Sequence, residues 1–200
     1  MNTLPKDMVE KLIDELSPQD FISFCSSNVD PNVTRICNME EIWERRMRRD
    51  FQEVLIVYPD VINTPKRVYL SLFTEISKAA EQITEIVLSG YGKVRKYLSL
   101  EFNKFLYNEF FQISLKALIY ILKEINELDD ALTENNVKIF VSETIPDILY
   151  SDDFIAFMDE YFPNGSFDYY NNQLYNNWES AIKKPLREFL QTIIIFLQKY

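Results

Sequence analysis

The chain contains no histidine. That removes the side chain most used for proton transfer near neutral pH, and with it any Ser-His-Asp or Cys-His arrangement and any imidazole metal site. Two cysteines, Cys25 and Cys37, cannot fill a four-ligand zinc site or build a disulfide framework, and they read as small core hydrophobes. Glu143, Asp147, Asp152 and Asp153 are the acids closest to a divalent-cation set. Pro146 interrupts their helical spacing, so a solvated face with helix N-terminal charge is the better reading. Gly90 and Gly92 lack the third glycine of a dinucleotide loop, and no phosphate-binding loop is present. The chain is therefore read as a non-enzyme without metal or cofactor.

Two other clusters bear on binding. Arg45, Arg46, Arg48 and Arg49 lie together; on a helix 45, 48 and 49 share a face and 46 points away. Glu44 and Asp50 flank them and the chain carries a net charge of −10, so solvated or internally paired roles are favoured over nucleic acid. The second cluster lies in residues 129–179, where eleven acids face one base, Lys138. From 150 to 178 the acids are interleaved with aromatics. Tyr169, Tyr170 and Tyr175 would anchor a target protein presenting Lys or Arg, with Asp152, Asp153, Asp159 and Glu160 steering it. A core role for these tyrosines fits the pattern equally well, and Phe154, Phe157 and Trp178 read as core.

The elements that must position these groups are helices. Only three glycines occur, and period-two alternation is rare. The fold class is all-α. Residues 5–16 place Met8, Val9, Leu12, Ile13 and Leu16 on one face. Ser17-Pro18 opens a second helix carrying Phe21, Phe24 and Cys25, and Asp30-Pro31 opens a third. Asn38 with Glu41 resembles a capping box ahead of Ile42, Trp43 and Met47, with Trp43 expected to be buried. Residues 51–65 read as a linker. Thr64-Pro65 starts a long helix whose Tyr69, Leu72, Ile76, Ala79, Ile83 and Ile86 form a seam, taken as packing within the chain rather than a coiled coil. Gly90 ends it. Two helices are expected over 93–128, one from about 134 to a stop at Pro146, a short one capped at Ser151, and the last helices between about 174 and 200 with a break or kink at Pro185. No apolar run approaches the ~20 residues of a membrane span.

Leu4-Pro5, the pair Leu12-Ile13, Leu16, Pro18, Asp20-Phe21, Phe24-Cys25, then Arg35-Ile36-Cys37-Asn38 and Ile42-Trp43 follow one another in an order that resembles an F-box. The basic tail over 43–51, WERRMRRDF, is similar to the end of that family's pattern. Residues 26–33, SSNVDPNV, depart from it. The resemblance covers residues 4–51, and the Asn- and Ile-rich composition is similar to F-box-like proteins of large DNA viruses. It implies an N-terminal three-helix module (1–50), the linker (51–65) and a larger helical, target-binding domain (66–200). It also implies docking on a Skp-type adaptor through Leu4, Pro5, Met8, Val9, Leu12, Leu16 and Phe21, within a cullin-RING ubiquitin ligase. The expected setting is intracellular, cytoplasmic or nuclear, in a host cell for a viral protein. The other reading is a structural or virion-associated helical interaction protein without a ligase role.

Overall fold

The computed structural model describes residues 4–27, 30–90, 92–128, 132–149, 151–152 and 172–200, with backbone alone at 90, 92–94 and 172–181. Among the described residues every regular element is helical, and none is a strand. The all-α expectation holds. No helix of the described residues is long and apolar enough to cross a membrane.

The chain divides into two compact units, the first reaching to Thr74 and including Tyr200, the second spanning Glu75–Lys199. In the first, α1 is Lys6–Glu15, α2 Pro18–Ser27, α3 Pro31–Ile36, α4 Glu40–Asp50 and α5 Gln52–Val57, followed by a 3-10 turn at Pro59–Asn63. Start signals explain two of these boundaries. Ser17 Oγ accepts from Asp20 N at 3.1 Å and donates to Asp20 Oδ2 at 2.7 Å, closing the entry to α2. Asp30 accepts from the backbone N–H groups of Asn32 and Val33 and so caps α3, with Pro31 in its first turn. The capping box expected at Asn38 is not formed. Met39 is the N-cap of α4, and the Asn38 amide oxygen instead accepts from Lys66 Nζ at 3.1 Å.

Residues 51–65, expected as a linker, are mostly helical and contribute Phe51, Val54 and Val61 to the buried interior. Phe21, Trp43, Phe51 and Tyr69 form the aromatic centre of this unit, with ring centroids 4.9–5.6 Å apart in tilted or edge-on pairs. Trp43 is buried as expected, and its Nε1–H donates to the Cys37 carbonyl at 2.8 Å.

The long helix α6, Pro65–Gly90, buries Tyr69, Leu72, Ile76, Ala79 and Ile83, so the seam read from the sequence packs within the chain. A 3-10 turn at Gly92–Tyr97 leads into α7, Leu100–Asn126, whose N-cap Ser99 accepts from Phe102 N at 3.1 Å. One 27-residue helix thus stands where two were expected. Helix α8, Glu134–Leu149, does not stop at Pro146, because Thr144, Ile145, Ile148 and Leu149 are all buried. Burial on both sides of the proline outweighs the one backbone hydrogen bond it removes. The final helix α9, Asn172–Leu197, likewise runs unbroken through Pro185. In the second unit α9 packs on α8 and α7, and α7 packs on α8.

Candidate functional site

Helix α1 carries more apolar side chains than the first unit can enclose, and the structure divides them into two seams. Val9 and Ile13 are fully buried. Leu4, Met8 and Leu12, spaced four apart, are 37%, 57% and 38% exposed, Pro5 is exposed and Leu16 is half-buried. The docking set read from the sequence is corrected accordingly. Met8 and Leu12 are exposed on α1, Leu4 and Pro5 are exposed just ahead of it, and Leu16 is half-buried just after it. Val9 and Phe21 belong to the interior.

The two ends of α1 are fixed by polar contacts. At its start, the Leu4 N–H donates to Asp30 Oδ2 at 3.1 Å, and the Leu4 carbonyl accepts from Asn32 Nδ2 at 2.8 Å. The hydrogen bond from the Leu4 backbone holds the Asp30 carboxyl below its ordinary range, with the Asn32 and Val33 backbone bonds acting in the same direction. At its end, the orphan carbonyls of the last turn are taken by arginines of α4. Arg46 Nη1 donates to Ile13 O at 3.1 Å and Leu16 O at 2.9 Å. Arg49 donates to the carbonyls of Asp14 and Leu16, and Arg45 Nε pairs with the Asp14 carboxylate at 2.8 Å. Three of the four arginines thus clamp the end of α1, and Arg48 pairs with Glu44 on α4 itself, in keeping with internally paired roles.

Arg46 is 1% exposed. Its Nη2 lies 2.6 Å from Asp50 Oδ2, and its Cζ stands 4.6 Å from the centre of the Phe21 ring. The Tyr69 hydroxyl donates to Asp50 Oδ2 at 2.6 Å and accepts from Arg46 Nη2 at 3.3 Å. Burial, followed by the Asp50 charge, pushes the Tyr69 phenol well above its ordinary range, so it stays neutral and donates.

The cysteines depart from expectation. Cys25 on α2 and Cys37, the C-cap of α3, are joined by a disulfide with Cα atoms 5.6 Å apart. Packing of α2 and α3 brings the two backbones into bonding range, which sequence spacing alone does not reveal. The sequence reading of the two as separate core hydrophobes is corrected accordingly.

In the second unit Asp152 is exposed. Asp153, Asp159, Glu160, Tyr169 and Tyr170 lie outside the described residues, as does the short helix expected after Ser151. Tyr175 lies on the backbone of α9. Glu143 and Asp147 sit one turn apart on α8, both exposed, and no group of three metal-ligating side chains occurs among the described residues. Open grooves among the described residues of this unit include the following. One of about 700 Å³ is lined by Glu81, Gln82, Glu85, Ile86, Lys184, Pro185 and Glu188. Another, of about 310 Å³, lies between α7 and α8 and includes Lys116, Tyr120, Lys123 and Ile148. No protein-family model, curated protein or solved structure matches the chain.

Proposed function

We propose that the chain is a substrate-recruiting adaptor. Residues 1–50 form an F-box-like module that docks on a Skp-type protein, in a cullin-RING ubiquitin ligase, and residues 66–200 hold a target. The observation that carries this reading is the exposed apolar set at the start of the chain: Leu4 and Pro5 just ahead of α1, and Met8 and Leu12 on it. It remains exposed although Val9 and Ile13 of the same helix are fully buried. A row of apolar side chains rimmed by polar groups is the form of a partner surface. The resemblance over residues 4–51 gives that partner its identity.

The test is calorimetric titration with a purified Skp-type adaptor. Met8→Ala with Leu12→Ala shortens two partly exposed side chains and keeps residues of high helix propensity, so helicity is little changed while affinity falls by about 1–3 kcal/mol, roughly 5- to 100-fold. Ile139→Ala, an equally exposed apolar change on α8, leaves affinity untouched. Absence of heat and of co-elution with the unaltered chain defeats the reading.

The disulfide between Cys25 and Cys37 favours a second reading. Bonds of this kind persist on virion and cell surfaces. A virion-associated helical interaction protein without a ligase role would keep the same stripe for contact with a structural partner. Fractionation of infected or expressing cells, with alkylation of free thiols at lysis, separates the two.

A further inference from the structure

The first residues of the docking stripe are held by the connection between α2 and α3. Leu4 has both backbone polar groups bound there, the N–H to the Asp30 carboxylate and the carbonyl to the Asn32 side chain. The same carboxylate accepts from Asn32 N at 2.8 Å and Val33 N at 3.3 Å, so one acid orders the start of α3 and the start of α1 together. Cys25 and Cys37 bracket this connection, twelve residues apart in sequence and covalently joined. Asp30 and Asn32 therefore sit inside a loop closed by the disulfide.

We propose that the Cys25–Cys37 pair is a redox control on the presentation of Leu4-Pro5. With the pair oxidised, Asp30 and Asn32 are held where they clamp Leu4. With the pair reduced, Asp30 and the start of α3 are held less firmly and the clamp on Leu4 opens more often, while α4 and the aromatic centre keep their packing. The consequence for adaptor docking rests on the function proposed above; the clamp does not.

Glutathione disulfide is the co-reactant. Cys25, the more exposed of the two, attacks one of its sulfurs as the thiolate, forming a mixed disulfide and releasing one glutathione. The Cys37 thiolate then attacks the Cys25 sulfur of that mixed disulfide and releases the second glutathione. The chain loses two electrons, glutathione disulfide gains them, and the two thiol protons end on the two released glutathiones. Excess dithiothreitol returns two electrons to the pair: one of its thiolates forms a mixed disulfide with the chain, its second displaces the protein thiol, and it leaves as the cyclic disulfide.

The deciding experiment is amide hydrogen exchange on the full chain, equilibrated with glutathione disulfide or with dithiothreitol. Alkylation and mass analysis fix the thiol state of each sample. Reduction is expected to speed exchange at the Leu4 amide by about tenfold and to leave the amides of α4 unchanged. In Asp30→Ala the Leu4 amide exchanges fast in both states. Equal Leu4 rates in the two states overturn the proposal. So does uniform acceleration through the unit, which marks the disulfide as a stability staple only, or thiols that stay free in glutathione disulfide. Titration with the adaptor forms a separate arm. Tighter binding by the oxidised chain supports control of docking, and equal binding overturns it. If neither form binds, the docking function fails while the exchange result still decides the clamp.

Discussion

Arg46 shows how one residue converts a sequence pattern into an architecture. Its neighbours Arg45, Arg48 and Arg49 lie toward solvent, whereas Arg46 is almost wholly enclosed. A buried guanidinium is tolerable only when its donors are used. Here they reach two carbonyls at the end of α1, the Asp50 carboxylate and the Tyr69 hydroxyl, although Nε has no partner. Arg46→Met keeps much of the volume and removes every donor. Asp50 retains Arg49 and Tyr69, and Leu16 O retains Arg49, so the loss is partial. The expected cost is about 3 kcal/mol, read as a lower urea midpoint by circular dichroism. A loss under about 1 kcal/mol would show that Arg49 and Tyr69 suffice to satisfy the site. The helical spacing set Arg46 apart from its neighbours in the sequence. Its partners were not legible, because they are carbonyls some thirty residues away that become acceptors only once α1 ends beside α4.

Among the elements, helix starts were more legible than helix ends. Ser17, Asp30 and Thr64, each followed by proline, precede helices as read, and Ser17 and Asp30 bond the first turn through their side chains. The stop expected at Pro146 did not occur, and α9 is continuous through Pro185, because proline's local cost competes with burial of residues far away in sequence. The two helices expected across 93–128 resolve into a 3-10 turn and α7, and residues 100–126 contain neither glycine nor proline to break the longer helix. The apolar face of α1 was legible as one band. Its division into inward Val9 and Ile13 and outward Leu4, Met8 and Leu12 was not, since periodicity does not say how much of a wide apolar arc its neighbours cover. Pro146 offers a direct measure of the competition between local cost and burial. Pro146→Ala restores an N–H able to bond the Ser142 carbonyl, worth up to about 3 kcal/mol in a helix interior. Against this stands about 1 kcal/mol from the freer unfolded chain. Net stabilisation of about 1–2 kcal/mol is expected in urea unfolding. A destabilised variant would mean that packing by the proline ring holds this turn.

At the scale of the whole molecule, the charge is concentrated in one stretch of the chain. Residues 129–179 carry a net −10, equal to the net charge of the entire chain, so the remaining residues sum to zero. A uniformly acidic surface would serve solubility; an acidic segment joined to an otherwise neutral chain also creates a local field that draws in basic surfaces. The function proposed above assigns this field to the target, with Tyr169, Tyr170 and Tyr175 as anchors, while α1 in the other unit faces the adaptor. The two tasks should then respond differently to salt. The α1 stripe is apolar, so its affinity changes little with ionic strength. Capture of a basic target should slow as salt rises, because exposed charges are screened beyond ~8 Å at physiological ionic strength. Replacing Asp152, Asp153 and Asp159 by Asn and Glu160 by Gln removes four of the eleven acids. Stopped-flow association with a target obtained by crosslinking in cells should show a lower on-rate and a shallower salt dependence, with dissociation little changed. Adaptor titration on the same variant should remain at the unaltered value. An unchanged on-rate would reduce the acidic segment to solvation and move target recognition to another surface within residues 66–200.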